Sequence, residues 1–398
     1  MAVYNHENFG REFLGPIDAT SALVRSRNVP AIELEQMLRP PGFYGFLKSA
    51  GVRDLRDENF YGLALALGGV ELSMEEMAQL YAMIANGGEL RTLINTTGSH
   101  PQSGVRLLSP EASYAVIGML RQNPRPTNDF TLSQVPSHDP IPWKTGTSYG
   151  FRDAWAMGIV GPYVLGVWIG NADGAPNPNF IGRDAAGPLF FNIADALRAR
   201  EPLIEQISSA GLNLKRVKVC AISGQLPGPY CDHFKETWFI PGKSPIATCT
   251  IHRGVPIDLR TGLRACPGQT TSVAVKRFEF WPSDLTKLFR SAGLERRQPP
   301  PLDPDCNSGG SQGLAPTISS PTGGVVYSAD ATTEIPFIAV SDADSRIVFW
   351  FVDSDLIGSS RPGEPLFWHA KPGNFVVRVV DEQGRAAAEE IRVVPTIH

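Results

Sequence analysis

The feature that most constrains the fold is a stretch of 19 uncharged residues between Asp153 and Asp173. Its length is close to the roughly 20 residues of a transmembrane helix. However, it contains four glycines and one proline, and Gly161-Pro162 divides it into two halves with β-branched and aromatic residues. Such halves are typical of buried, paired strands. The sequence therefore predicts a β-hairpin with strands over residues 153–160 and 163–171 rather than a membrane span.

The motif Lys144-Thr145-Gly146-Thr147 stands directly before this hairpin and predicts one more strand at its edge. A lysine there supplies positive potential, the threonine hydroxyls can hold a carboxylate, and the glycine lets a bound backbone lie close to the strand. With Ser148, these residues are candidate binding groups for a peptide that ends in a carboxylate. Three fixed letters occur by chance in about one chain of this length in twenty, so the prediction depends on the hairpin that follows.

A second candidate motif, Ser26-Arg27-Asn28, lies between a helical pattern at residues 17–24 and a segment that Pro30 opens. A loop between two helices can direct both polar side chains to one site. Ser26 could then relay protons, and the Asn28 amide could both donate to and accept from a peptide group. Because Ser-x-Asn is common in caps and turns, its place ahead of Lys144 is what favours the functional interpretation.

Helices are predicted mainly before the motif strand. Ser73 and Glu76 form a capping box for a helix that ends near Asn86, and Ser109-Pro110 begins another helix. Residues 122–142 read as a loop and residues 185–200 as a helix packed on the sheet. Because the strands are grouped after the helices, the predicted fold class is α+β.

The C-terminal part is predicted to be all-β. Residues 298–313 are rich first in proline and then in glycine, which is typical of a linker. Beyond them, short β-type runs separated by turns predict a small antiparallel sandwich. These runs are residues 335–340, 346–352, 373–380 and 390–394. Trp350 and Trp368 are expected in its core rather than on an exposed ligand platform.

The five cysteines are Cys220, Cys231, Cys249, Cys266 and Cys306. Their connectivity cannot be read from the sequence. We expect disulfides among the first four. A metal site on Cys249-Thr-Ile-His252 and free thiols are the alternatives that stay open. Ten residues separate Cys220 from Cys231, wider than the usual spacing of a zinc ligand pair, so the prediction is that no metal is bound.

Charge and termini exclude some functions. The net charge is −4 and no basic run is present, so neither nucleic acid nor an acidic membrane surface is an expected partner. The first residues lack a charged region followed by an apolar one. No export signal or transmembrane segment is therefore predicted for the chain itself.

These motifs together resemble the transpeptidase domain of bifunctional penicillin-binding proteins of the 1C type, and Lys-Thr-Gly is similar to the third signature motif of penicillin-sensitive enzymes. Residues 26–31, 67–73, 77–88 and 144–155 carry this resemblance. The segments 220–224, 238–242 and 249–253 and the C-terminal end of the chain resemble that family's carboxy-terminal region. The resemblance implies a penicillin-binding/serine β-lactamase-like transpeptidase domain, a Cys-rich connecting region, a linker and an immunoglobulin-like sandwich. The implied boundaries are 1–210, 211–297, 298–313 and 314–398.

The resemblance also implies D,D-transpeptidation of peptidoglycan stem peptides through an acyl-serine intermediate, on the periplasmic side of the inner membrane and without metal or organic cofactor. Ser26, Asn28 and Lys144 would be catalytic. Thr145, Gly146, Thr147 and Ser148 would bind substrate. A β-lactamase is less favoured because it would lack the long appended regions.

One departure limits this implication, since the sequence contains no Ser-x-x-Lys, the motif of the family's nucleophile. We expect a truncated chain that begins just after that motif, lacks the glycosyltransferase domain, is inactive alone and binds β-lactams weakly and non-covalently if at all. A polypeptide that carries Ser-x-x-Lys is then an expected partner. The alternative is a non-catalytic module that binds peptidoglycan or a periplasmic protein.

Overall fold

The computed structural model describes residues 8, 15–97, 103–126, 140–200, 208–306, 313–330 and 333–396. The chain forms two compact units. The first contains Ile17–Val217 and Trp238–Ser244, and the second contains Lys218–Thr237 and Pro245–His398. Among the described residues, no helix has the length and apolar character needed to cross a bilayer.

Helices are the main regular elements of the first unit. Their bounds are α1 Ala19–Val24, α2 Asn28–Met37, α3 Gly42–Ser49, α4 Glu58–Tyr61, a 3-10 helix at Gly62–Leu67, α5 Met74–Ala85, α6 Pro110–Leu120 and α7 Ala186–Arg200. The predicted starts are confirmed: Ser73 and Glu76 form a reciprocal capping box on α5, and Ser109 caps α6 just before its first-turn proline. Of the predicted loop at 122–142, residues 127–139 lie outside the described ranges.

The predicted hairpin is also confirmed. β3 (Trp143–Thr147), β4 (Asp153–Val160) and β5 (Tyr163–Gly170) form an antiparallel sheet in that order. A separate small sheet pairs β1 (Glu89–Leu90) with β2 (Val105–Arg106). The core of the main sheet is aromatic, because α7 brings Phe190 and Phe191 against the fully buried Trp143, with ring centroids 5.9 and 4.9 Å from its own.

Two further two-stranded sheets follow in the chain. β6 (Lys215–Cys220) pairs with β7 (Phe234–Phe239), and β8 (His252–Asp258) pairs with β9 (Val273–Glu279) along its whole length. Helix α8 (Ser283–Ser291) comes next. These elements occupy most of the predicted Cys-rich region.

The C-terminal part is all-β, as predicted. Its strands are β10 Thr317–Ser320, β11 Val326–Ala329, β12 Glu334–Val340, β13 Val348–Val352, β14 Asp355–Ser360, β15 Leu366–His369, β16 Gly373–Asp381 and β17 Ala386–Pro395. They form one sheet in the order β10-β12-β15 and another in the order β11-β17-β16-β13-β14. The pairing of β11 with β17 is parallel, which differs from the purely antiparallel prediction. Trp350 is fully buried and Trp368 packs against the same core, so the core interpretation of both is confirmed.

The predicted disulfides among Cys220, Cys231, Cys249 and Cys266 need correction. Cys266 is bonded to Cys306, 40 positions further on, and the other three cysteines are free thiols. A backbone hydrogen bond brings the two segments together, because Arg264 N donates to Pro301 O at 3.0 Å. Arg264 lies two residues before Cys266, and Pro301 lies five residues before Cys306. The proline-rich start of the predicted linker is therefore attached to the preceding region.

Candidate active site

The structure brings the two candidate motifs of the first unit together. Lys144 Nζ donates a hydrogen bond to Ser26 Oγ, across 118 positions of sequence, and a second one to Thr145 O at 2.8 Å. The lysine is fixed by its strand, since β3 pairs residue by residue with β4. Trp143 also anchors β3: its ring Nε1 donates to Asn123 O, and the Asn123 amide donates back to Trp143 O.

Ser26 sits in a tight connection between α1 and α2. Its backbone φ of 51° is left-handed, and its N–H donates to Leu23 O at 3.1 Å. Arg27 N then donates to Ala22 O at 2.9 Å, which completes a typical helix C-terminal turn. This turn presents the exposed Ser26 side chain to Lys144.

Asn28 is the first residue of α2, two positions after Ser26. The buried Asn8 side chain holds this helix start, because its Oδ1 accepts from Asn28 N at 3.1 Å and from Val29 N at 3.4 Å. Sequence reasoning missed Asn8. An asparagine that caps a helix 20 positions away leaves no local pattern to read.

Burial and a nearby cation change the acidity of Lys144. Desolvation, followed by the positive charge of Arg183, lowers the pKa of Lys144 from its usual 10.5 to about 8. The ammonium can therefore lose or gain a proton near neutral pH, which suits a group that exchanges protons with Ser26. Arg183 was not identified from the sequence, because only the folded chain places it beside the lysine.

A hydrogen bond between Thr147 and Gly182 holds the segment that carries Arg183 against the motif strand β3. Gly182 N donates to Thr147 Oγ1 at 2.9 Å. A Cβ atom at Gly182 would lie 2.3 Å from Gly146 O and 2.8 Å from Trp155 O, so only glycine fits there. The Thr147 hydroxyl keeps its own proton for donation to a ligand.

The remaining candidate residues differ in their surroundings. Ser148 is engaged in the β3–β4 turn, since its Oγ accepts from Asp153 N at 2.8 Å and its N donates to Asp153 O at 3.0 Å. Thr145 is half-buried, whereas Gly146 is exposed. Within the described ranges β3 pairs only with β4, so its other edge offers backbone groups to a bound peptide.

Comparison with known proteins finds family models over three segments of the chain. The family model described as "Penicillin binding protein transpeptidase domain" matches residues 2–182. Two more models, "Penicillin-binding protein 1A, C-terminal domain" and "Penicillin-Binding Protein C-terminus Family", match residues 212–254 and 307–393. The first unit therefore has a penicillin-binding transpeptidase fold. The chain belongs to the penicillin-binding proteins, and its likeness to the 1C type extends over almost its whole length.

Individual relatives differ in how much of this chain and of their own length they match. Penicillin-binding protein 1C of Escherichia coli K12 is 27% identical over 96% of this chain and 51% of its own length. Penicillin-binding protein 1A of Clostridium tetani is 27% identical over 63% of this chain and 35% of its own length. A crystal structure of penicillin-binding protein 1A from Haemophilus influenzae aligns with 61% of this chain and 42% of its own, with a TM-score of 0.49 and 20% identity. The chain thus spans about half the length of the 1C relative and a smaller share of the other two proteins.

Proposed function

We propose that this chain carries the substrate-recognition half of a D,D-transpeptidase site that cross-links peptidoglycan stem peptides. Acyl transfer then requires a Ser-x-x-Lys segment, which this sequence does not contain. The observation that carries the proposal is the hydrogen bond from Lys144 Nζ to Ser26 Oγ. It brings together two motifs that can act on one substrate only if they are adjacent.

Recognition of the peptide carboxylate rests on charge and hydroxyl donors. Lys144 and Arg183 place positive charge beside β3. The Thr145 and Thr147 hydroxyls can donate to the carboxylate oxygens, and bonds to an ionised acceptor are about twice as strong as neutral ones. The free edge of β3 can pair with the peptide backbone, which orients the scissile carbonyl relative to Ser26.

The pair of Lys144 and Ser26 can move a proton during acyl transfer. With the pKa of Lys144 near 8, a fraction of the side chain is neutral at neutral pH and can accept a proton from Ser26. Ser26 can then accept one from an attacking amine. In the opposite direction, protonated Lys144 can return its proton through the Ser26 hydroxyl to a leaving amine. The covalent bond itself needs a nucleophile with a base in reach, and neither Ser26 nor Ser148 is proposed for that role.

A fluorescent penicillin tests the proposal. The purified chain should form no covalent, boil-resistant adduct. Co-expression with a polypeptide that supplies the Ser-x-x-Lys segment of a 1C-type relative should restore labelling, and Lys144→Ala should abolish it. Lys48→Ala, an exposed lysine on α3, is the matched control and should label like the unsubstituted chain.

Each outcome bears on a separate part of the proposal. Covalent labelling of the chain alone would contradict the need for an external nucleophile. Failure of the co-expressed pair to label would contradict completion of the site by a second polypeptide. Equal labelling of Lys144→Ala and Lys48→Ala would contradict the assigned role of Lys144.

A further inference from the structure

Three thiols and one imidazole converge in the second unit. The Sγ atoms of Cys220, Cys231 and Cys249 lie 3.4, 3.5 and 3.5 Å from Nδ1 of His252. All four atoms lie within 4.8 Å of one another. Cys220, Cys249 and His252 are buried, and Cys231 is half-buried. The four side chains therefore come from separate positions in the sequence and meet in a largely buried cluster.

The distances match tetrahedral zinc coordination. Bonds of about 2.3 Å to sulfur and about 2.0–2.1 Å to nitrogen place neighbouring sulfur and nitrogen ligands roughly 3.6 Å apart. Three sulfur-to-nitrogen separations of 3.4–3.5 Å are close to this value. A thiol and an imidazole can approach this closely without metal, but three thiols converging on one nitrogen exceed what a single hydrogen bond can satisfy.

The first ligand, Cys220, lies at the end of β6 and opens a tight turn. Cys220 N donates to Gln225 O at 2.8 Å, and Gly224 N donates back to Cys220 O at 2.9 Å. Gly224 has a φ of 70°, which favours glycine. The turn therefore fixes the backbone that carries the first ligand.

The fold also closes the long spacing between Cys220 and Cys231, which argued against zinc in the sequence. Ala221 N donates to His233 O at 2.9 Å, so the residue after Cys220 pairs with the second residue after Cys231. Cys249 is brought to the same place because its N donates to Leu226 O at 2.8 Å. His252 is the first residue of β8 and is positioned by that strand.

We propose that Cys220, Cys231, Cys249 and His252 bind one Zn²⁺ in a tetrahedral site that stabilises the second unit. Four protein ligands leave no position for water or substrate, so the role is structural rather than catalytic. On binding, the three thiols release their protons to solvent and each sulfur forms one bond to the metal, while the neutral imidazole supplies the fourth. No oxidant or reductant takes part.

Metal content tests the proposal on the whole chain, purified without chelators. Elemental analysis should find stoichiometric zinc, and X-ray absorption should show three sulfur neighbours and one nitrogen neighbour. His252→Ala should lose the zinc, whereas His252→Cys should retain it, because a fourth thiolate also suits Zn²⁺. His233→Ala is the matched control, since His233 is exposed and pairs with Asp232. Zinc retained by His252→Ala at the control's level would overturn the proposal.

Thiol counting keeps the test decisive if a variant fails to fold. The unsubstituted chain, denatured with a chelator, should show three reactive thiols, because Cys266 and Cys306 are bonded to each other. The same thiols should be protected in the native chain until the chelator is added. A single reactive thiol after denaturation would mean that two of the three cysteines had formed a disulfide, and this would overturn the proposal.

Discussion

The two side-chain clusters of this protein are built in opposite ways. Lys144 and Ser26 meet at a surface where Ser26 and Thr147 are exposed, and their hydroxyls keep hydrogen-bonding capacity for a ligand. The cysteine and histidine cluster is largely buried, and its four atoms face one another. The first cluster can therefore recognise something that arrives from solvent. The second can only hold what is enclosed during folding.

The largest expected effect tests how much the open cluster depends on buried packing. Trp143→Ala should reduce the free energy of unfolding of the first unit by about 3–5 kcal/mol, because it removes a fully buried ring that contacts Phe190 and Phe191. Urea unfolding followed by circular dichroism measures this loss. Tyr149→Ala, at a fully exposed position, is the control. Equal urea midpoints for the two variants would show that contacts other than those of the Trp143 ring hold the strand of Lys144 in place.

The next effect tests whether the metal or the neighbouring disulfide holds the closed cluster. Replacing Cys266 and Cys306 together by serine should cost about 2–5 kcal/mol, since it removes a link across 40 positions. Bound zinc should stay stoichiometric, because neither residue is a proposed ligand. Thermal unfolding and elemental analysis on the same sample measure both quantities. If zinc were lost together with the disulfide, the covalent link rather than the metal would be what holds the four cluster residues in position.

A smaller effect tests whether the open cluster binds carboxylates through charge. With a pKa of about 8, Lys144 is mostly charged at pH 7 and mostly neutral at pH 9. The affinity for a fluorescent peptide ending in D-Ala-D-Ala should therefore fall about tenfold over this range. Fluorescence anisotropy measures it. Lys144→Arg should remove most of the pH dependence, because arginine stays charged. An unchanged affinity in the unsubstituted chain would separate Lys144 from carboxylate recognition.

The smallest effect concerns the local caps of the first unit. Ser73→Ala should cost about 1 kcal/mol at neutral pH, because it breaks the capping box of α5. Burial opposes ionisation of Glu76, but hydrogen bonds from Arg53 and Ser73 outweigh it and lower the pKa of Glu76 to about 2. This stabilisation is present above the usual pKa of 4.5 and is lost as the pH falls through about 2.

Urea unfolding at several pH values measures the effect of Ser73→Ala. The difference from the unsubstituted chain should shrink in acid, as Glu76 becomes protonated. Ser49→Ala, which removes an exposed hydroxyl at the end of α3, should change stability by less than about 0.5 kcal/mol at every pH. A pH-independent cost of Ser73→Ala would show that Glu76 takes no part in the cap.

The sequence predicts what depends on neighbouring residues. The Gly161-Pro162 turn, the Ser73 and Ser109 caps and the alternation around Trp350 are local signals, and the structure confirms the elements that they indicate. Lys144 and Ser26 were selected by a resemblance between motifs, and their contact agrees with that selection. The roles assigned to these residues stay predictions.

Contacts made only by the tertiary fold were not predictable. Arg183 approaches Lys144, and Asn8 caps α2, without any periodic pattern that connects them. Ligand spacing along the chain argues against a metal site. In the fold, however, the pairing of Ala221 with His233 makes the separation of Cys220 and Cys231 in sequence irrelevant. The Cys266–Cys306 bond depends in the same way on a segment that composition alone identified as a linker.

The close approach at Gly182 has a genetic consequence. The atoms that a side chain there would strike are the carbonyl oxygens of Gly146 and Trp155, and every amino acid carries that carbonyl. No second mutation at either position could therefore make room. Selections for revertants of a Gly182 substitution should return glycine itself and no compensating change at those two positions.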